Sequence, residues 1–320
     1  MTPQDEQTIL DWTARQTTPV KLSLAGGSGE AGEALVQFCD RLQSLAPAVE
    51  KSPAPDDPFR SPAMIVGRHG NIAFQSVPEG RELAPFLTAL DAGAAAQSKL
   101  SHELAEACGQ IELPADLLLF ITMQCPHCPT AVLELASVAN ATPRIRLTVI
   151  DGMRFTEKAE AYDIRSVPTL ILDDQIRWTG QIKVAEVVGQ CIDRDPTQLS
   201  AASLRQIIES GEAAKASAMM TEHGALFPAL IDLLISDRWS VRLGAMVTVE
   251  YLAEEAPELA AGLVEPLWDR FDALDESVQG DVVQVLAQIE CDDARAYLKQ
   301  IASGGYPASV IEAAEEELGD

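Results

Sequence analysis

The sequence predicts an α/β chain of two similar strand–helix lobes followed by an all-helical repeat region. Three observations predict it. An apolar run at 117–123 ends in two closely spaced cysteines and a helical pattern; a related proline–strand–turn–strand pattern lies 106 residues upstream of its counterpart; and a helical apolar pattern recurs three times after Asp195.

Residues 117–123 (LLLFITM) are too short and too apolar for anything but a buried strand, given the proline-bearing turn that follows. Val132, Leu133, Leu135, Ala136 and Ala139 then recur at helical spacing, and Pro126 and Pro129 suit a first turn, where a missing N–H costs nothing. Cys125 is therefore expected to cap a helix. There the unsatisfied N–H groups and the helix dipole favour thiolate, His127 adds positive charge, and the Cys125 pKa is expected to be depressed. Cys125 and Cys128, three apart on one helical face, are placed to close a disulfide, one attacking and the other resolving. A zinc site would need two further ligands. Cys39, Cys108, Cys191 and Cys291 are single and scattered, and His69, His102 and His223 show no ligand spacing, so redox chemistry is expected, with no metal and no bound cofactor.

Downstream, residues 144–151 (RIRLTVID) alternate like a strand, 156–162 suit a short helix, and 169–172 with 176–179 read as a hairpin around Asp173, Asp174 and Gln175. Val167-Pro168-Thr169 stands between helix and hairpin. C-P-H-C after a strand, then V-P-T opening a later strand 40 residues beyond Cys128, resembles the thioredoxin superfamily. The resemblance implies that Pro168 is cis and faces the disulfide, and that Val167 offers its backbone to an extended substrate. Without it, Pro168 would read as an ordinary strand-start proline.

Ahead of this lobe, residues 1–18 read as a leading helix with Ile9, Leu10 and Trp12 as its apolar contacts. A strand at 20–24, the glycines Gly26, Gly27 and Gly29, and a helix from about 30 to 45 follow. No G-K-[ST] closes the glycines and no dinucleotide fingerprint fits, so a phosphate loop is not expected. Residues 51–62, rich in Pro and Asp, read as a loop. From Ser61-Pro62 to Phe74 the order proline, apolar strand, polar turn, strand repeats that of Val167-Pro168 onward, and 81–91 and 183–193 would be the closing helices of the two copies. The first copy has lost the chemistry of a close cysteine pair. Gly26 to Gly29 stand in its place, and Cys39 falls well inside the next helix.

Two tandem lobes, one blank and one with cysteines, resemble the N-terminal domain of the alkyl hydroperoxide reductase flavoprotein and, more loosely, the glutaredoxin-like protein disulfide oxidoreductases. The resemblance spans roughly 15–195 and includes C-P-T-A-V-L-E-L from Cys128, P-R-I-R-L-T-V-I-D-G from Pro143 and P-E-G-R-E from Pro78. It implies that Glu82 approaches the disulfide from the blank lobe, where a buried carboxylate could take the Cys128 proton; the alternative is a solvated helix-start glutamate. It also implies a separate electron donor, such as a flavoprotein reductase or glutathione, because this sequence does not continue into flavin and pyridine-nucleotide domains.

Beyond Asp195 the pattern is nearly all helical. Val241, Ala245, Val249 recur as Val278, Val282, Leu286 and as Val310, Ala314, Leu318, each after another apolar helix, resembling HEAT-type hairpin repeats. Trp239 and Trp268, near the hairpin turns, read as core aromatics, with exposed anchors the other reading. The expected domains are 1–110, 111–195 and 196–320, with no chemistry beyond Asp195.

Of 320 residues, 49 are acidic and 23 basic, and the formal charge of −26 argues against nucleic acid or an anionic membrane surface. Residues 201–320 alone carry 23 acidic and 7 basic residues. No leader-like or membrane-spanning stretch is read, and six cysteines with one close pair suit a reducing compartment, so the cytoplasm is expected. The expected function is thiol–disulfide exchange with protein or small disulfides, with peroxide defence as one setting and electron direction open. The other class is a helical-repeat adaptor whose redox lobe senses thiol state and whose acidic tail holds a protein partner.

Overall fold

The computed structural model describes residues 1–26, 29–54, 62–91 and 100–319, so Gly27, Ser28 and Ser61 of the patterns above lie outside the described residues. Two compact units emerge, Met1–Arg194 and Asp195–Asp320.

The first unit is built on one eight-stranded sheet. Its strands are β1 (Val20–Ala25), β2 (Val49–Pro53), β3 (Ala63–Val66), β4 (Ile72–Gln75), β5 (Ala115–Ile121), β6 (Ile145–Asp151), β7 (Thr169–Leu172) and β8 (Ile176–Thr179), in the order β2-β1-β3-β4-β6-β5-β7-β8. β1 pairs parallel with β2 across the helix Glu30–Leu45, and β5 pairs parallel with β6 across the helix Cys128–Ala141. An antiparallel hairpin completes each lobe. β4 then pairs parallel with β6, from Ile72 opposite Leu147 to Gln75 opposite Ile150, so the two lobes share one sheet.

One face of the sheet, with Leu22, Met64, Phe74, Leu147, Leu117 and Leu170, packs under the helices. Phe86 of the helix Leu83–Leu90 meets Phe38 and Phe74 edge-on, at ring distances of 5.6 and 5.0 Å. On the other face Phe120, Ile150 and Ile171 are covered by Phe155, Ala159, Tyr162 and Ile164 around the helix Thr156–Ala161. The β7–β8 turn places Asp173 and Asp174 at φ 47° and 60°, the consecutive left-handed pair that a tight hairpin requires.

Two local expectations are corrected, and one element is added. The leading helix is shorter, Pro3–Thr13, and Leu10 on it is exposed while Ile9 and Trp12 are buried. The stretch read as loop from 51 continues β2, which was invisible because Val49-Glu50-Lys51-Ser52-Pro53 buries only Val49 and is held as an edge by β1. A helix at His102–Gly109, capped by Ser101 accepting from Leu104 N at 3.2 Å, precedes the second lobe.

The seam between lobes carries a polar clamp. Asn71 donates from Nδ2 to the carbonyls of Ala139, Thr142 and Ile145 at 2.8, 3.2 and 2.6 Å, and its own carbonyl accepts from Leu147 N at 2.9 Å. Asn140 answers by accepting from Arg68 N at 2.8 Å. Gly67, at φ +89°, lies so close that a Cβ there would come within 2.9 Å of Asn140 Oδ1. Asn71→Ala removes this donor from the buried carbonyls and is expected to cost about 2–3 kcal/mol. An unchanged urea midpoint would refute that role.

The second unit is all helical. The helix Trp239–Glu255 packs against Ala201–Glu209, Ala213–His223, Pro228–Leu234 and Glu276–Ile289; the last of these packs against Asp292–Ala302 and Ala308–Gly319. Val241, Ala245 and Val249, with their counterparts Val278, Val282, Leu286, Val310 and Ala314, are buried. Gly244 permits close approach, since a Cβ would fall 2.3 Å from Ile208 Cγ2. Arg242 is buried, bonding Asp281 at 2.6 Å, the Ser236 carbonyl at 2.8 Å and Ser277 at 3.2 Å. Trp268 stacks on Phe271 and Tyr297, whereas Trp239 is 61% exposed, which corrects its reading as core.

Candidate functional site

The apolar strand β5 ends at Ile121, and the chain turns through Thr122–Pro126 before the helix begins at Cys128, with Pro129 in its first turn. Backbone geometry makes His127 the cap residue, a correction to the expectation that Cys125 opens the helix; the two cysteines are not on one helical face. Cys125 Sγ nevertheless accepts the first helical N–H, from Cys128 N at 3.1 Å. An N–H at a helix start directed at sulfur stabilises negative charge there.

Cys125 and Cys128 differ in surroundings. Cys125 is 8% exposed and Cys128 wholly buried. Burial first, then the hydrogen bond with Cys125, holds the Cys128 thiol far above the ordinary range, and the Glu82 charge adds to this. The other described buried thiols are also raised by burial: Cys39 to about 12, Cys108 to about 11 and Cys191 to about 12. His127 and Pro126 lie exposed beside the pair.

The loop before β7 faces the cysteines. The Val167–Pro168 peptide is cis, and the Val167 carbonyl lies 3.8 Å from Cys125 Sγ. Pro168 is buried, and its carbonyl accepts from Gly180 N at 2.9 Å. Thr169 does not face the sulfurs: its hydroxyl donates to the Ser166 carbonyl at 2.8 Å and bonds Thr179 Oγ1 at 3.1 Å, bracing the loop. A groove of about 1060 Å³ opens beside this loop, lined by His127, Val167 and Pro168 at one end and by Leu104, Leu133 and Ile182 along its walls.

Glu82 reaches this site from the blank lobe. It ends a one-turn 3-10 helix, Gly80–Glu82, that packs on the Cys128–Ala141 helix. Gly80 takes φ +56°, and its N–H donates to buried Asp5 at 3.0 Å, fixing the turn to the leading helix. The Glu82 carboxyl is 2% exposed, and neither oxygen finds a hydrogen-bond partner among the described residues. Burial, then the charge of Asp151 at the end of β6, pushes its pKa up to about 7. Sequence reasoning missed Asp151 and the Leu104 wall of the groove. Asp151 was visible only as the last residue of an alternating strand, and Leu104 sits on the helix that went unread.

Among the described residues no group of three or more His, Cys, Asp or Glu is arranged to hold a metal, and no helix is long and apolar enough to cross a membrane.

A parallel–antiparallel sheet with two cysteines at the start of the helix after its central strand, opposite a cis-proline loop, defines the thioredoxin-like class. The family model described as Thioredoxin domain matches residues 117–193. The thioredoxin of Methanocaldococcus jannaschii is 35% identical over 63 residues, 19% of this chain and 74% of that protein. The chain belongs to the thioredoxin family. An NADH dehydrogenase of Ferdinandcohnia aciditolerans is 24% identical over 281 residues, covering 82% of this chain and 51% of that protein. The AhpF component of alkyl hydroperoxide reductase from Xanthomonas campestris pv. phaseoli is 26% identical over 193 residues, covering 59% and 36% respectively. The chain thus spans about half or less of these two relatives. In fold it resembles the N-terminal domain of alkyl hydroperoxide reductase AhpF from Enterococcus faecalis (TM-score 0.51, 21% identity, 60% of this chain, 99% of that one). It equally resembles a protein disulfide oxidoreductase from Aeropyrum pernix (TM-score 0.53, 16% identity, 63% and 96%).

Proposed function

We propose that the chain is a thiol–disulfide oxidoreductase in which Cys125 attacks and Cys128 resolves. The observation that carries this reading is the contrast between the two thiols: Cys125 reaches the surface and accepts the Cys128 N–H, while Cys128 is sealed and protonated. In the reducing direction the Cys125 thiolate attacks one sulfur of a substrate disulfide, forming a mixed disulfide and releasing the first substrate thiol. Glu82 accepts the Cys128 proton; the Cys128 thiolate then attacks Cys125 Sγ, releasing the second thiol and leaving a Cys125–Cys128 disulfide. Two electrons from a separate donor, a flavoprotein reductase or glutathione, restore the dithiol. Run backwards, the same steps oxidise a substrate dithiol, and the potential of the pair sets the direction.

Substrates are protein or small disulfides. The groove beside Val167 and Pro168 suits an extended segment whose disulfide lies over Cys125, with His127 at its rim. The relatives named as AhpF components of alkyl hydroperoxide reductase support a place in peroxide defence. The second unit, read as a HEAT-like repeat, offers a protein-binding surface rather than chemistry, and the chain as a whole is assigned to the cytoplasm.

The test is differential alkylation. With the reduced protein at mildly acidic pH, iodoacetamide is expected to label Cys125 first, with Cys39, Cys108, Cys128 and Cys191 following only on denaturation. Faster labelling of Cys128 or Cys39, read by peptide mass spectrometry, would reverse the assignment.

A further inference from the structure

The largest exposed apolar feature of the second unit is a stripe on one helix. On Trp239–Glu255, Trp239 is 61% exposed, Leu243 42% and Tyr251 39%, with Val247 half-buried between them. These positions recur every four residues and so form one face. The opposite face of the helix, with Val241, Ala245, Val249 and Leu252, is spent on the core, so the exposed parts of the stripe face away from it.

The positions equivalent to the stripe on the next two helices change character in order. Leu243 corresponds to Gly280 and Glu312, and Val247 to Gln284 and Glu316, each exposed or half-exposed. Gly280 has nothing within 4 Å of where a Cβ would stand. The surface therefore runs from an apolar helix, across one that presents Glu276, Gly280 and Gln284 at the corresponding positions, to a carboxylate-rich one. Glu250, Glu254 and Glu255 also flank the stripe at its C-terminal end. Of the nearby cations, Arg242 is buried against Asp281 and Arg238 faces Glu209 at 4.0 Å.

We infer that this face, anchored by Trp239, Leu243, Val247 and Tyr251, docks a basic amphipathic helix of a partner protein, apolar side on the stripe and Lys/Arg side toward the carboxylates. Charge selects the occupant. A second copy of a chain with formal charge −26 is repelled, as is an anionic membrane or nucleic acid, whereas a cationic helix is attracted. Exposed Trp and Tyr in a mixed apolar and acidic setting are the residue types that supply most interface energy. This inference rests on the reading of the second unit as partner-binding and is independent of the thiol chemistry.

The probe is a fluorescein-labelled amphipathic Leu/Lys helix of about five turns, titrated with the full-length protein and followed by anisotropy. Binding is expected, weakening as salt rises, and failing for a Lys→Glu peptide and for a Leu→Ser peptide. Trp239→Ala/Leu243→Ala is expected to weaken it about tenfold or more, and Leu243→Gln alone to weaken it less; both side chains are exposed, so circular dichroism should be unchanged. Small-disulfide turnover should be the same in all three proteins. Equal binding by the double variant or by the Leu→Ser peptide overturns the inference, as do binding of zwitterionic phosphatidylcholine vesicles or a Trp239-dependent dimer in sedimentation. Loss of turnover in a protein that still binds the peptide would instead count against the thiol reading alone.

Discussion

With Cys125 replaced by serine, reduction of a small disulfide is expected to fall to the uncatalysed background, while Cys128→Ser keeps the first half of the reaction. The asymmetry follows from geometry. Cys125 Sγ is the sulfur that lies beside the Val167 carbonyl and receives the Cys128 N–H, whereas half-exposed Cys291, which accepts from Ala294 N at 3.5 Å, belongs to the second unit, so no neighbouring thiol can substitute. Cys128, fully buried and held protonated, has no access to a substrate sulfur. In Cys128→Ser the mixed disulfide on Cys125 should therefore form and persist, because the group that would release it is gone. Mass spectrometry after mixing with 5,5′-dithiobis(2-nitrobenzoate) reads both halves: one thionitrobenzoate adduct on Cys125 in Cys128→Ser, and none on Cys128 in Cys125→Ser. Near-normal turnover by Cys125→Ser would remove the pair's assigned order.

Glu82→Gln should change both stability and the pH profile of the resolving step. A carboxyl whose folded pKa is raised from 4.5 to about 7 penalises its own ionisation. Its contribution to wild-type stability is therefore greatest below the unfolded value. It falls as pH rises from about 4.5 to about 7 and is flat above that, a total loss of order 3 kcal/mol. Glutamine does not titrate, so the variant should gain on wild type by about this amount between pH 4 and pH 8, read as a difference in urea midpoints. The functional counterpart is a slower release of the mixed disulfide above pH 7, with the inflection near 7 removed. A wild-type-minus-variant stability difference that is the same at both pH values would mean that Glu82 is hydrated and ordinary.

Much of the first unit was legible because its elements are short and bounded by strong local signals. The run at 117–123, the helix after Cys128 and the Asp173–Asp174 turn each follow from periodicity or from residues that tolerate a left-handed backbone. The spacing of Pro62-Ala63 and Pro168-Thr169 matched the starts of β3 and β7, 106 residues apart. What was not legible depends on neighbours far along the chain. β2 exists because β1 gives its backbone a partner, and Asn71 reads as a turn residue until the carbonyls of Ala139, Thr142 and Ile145 are folded around it. The helix start at Cys128 could not be separated from one at Cys125 by pattern, since both prolines fit either. Trp239 misled for a related reason: apolar residues at helical spacing do not say which of two stripes is the inner one.

The pairing of β4 with β6 gives the lobe that lacks the close cysteine pair a reason to persist that has nothing to do with electrons. A β6 without β4 would present a row of open amides and carbonyls to any passing strand, and such rims recruit copies of themselves into aggregates. The lobe that shields this rim does so through its strands and needs no reactive sulfurs for it, so a change that removed β4 would cost solubility where a change at a sulfur would not. The blank lobe is thus best regarded as a built-in chaperone for the lobe that kept its thiols.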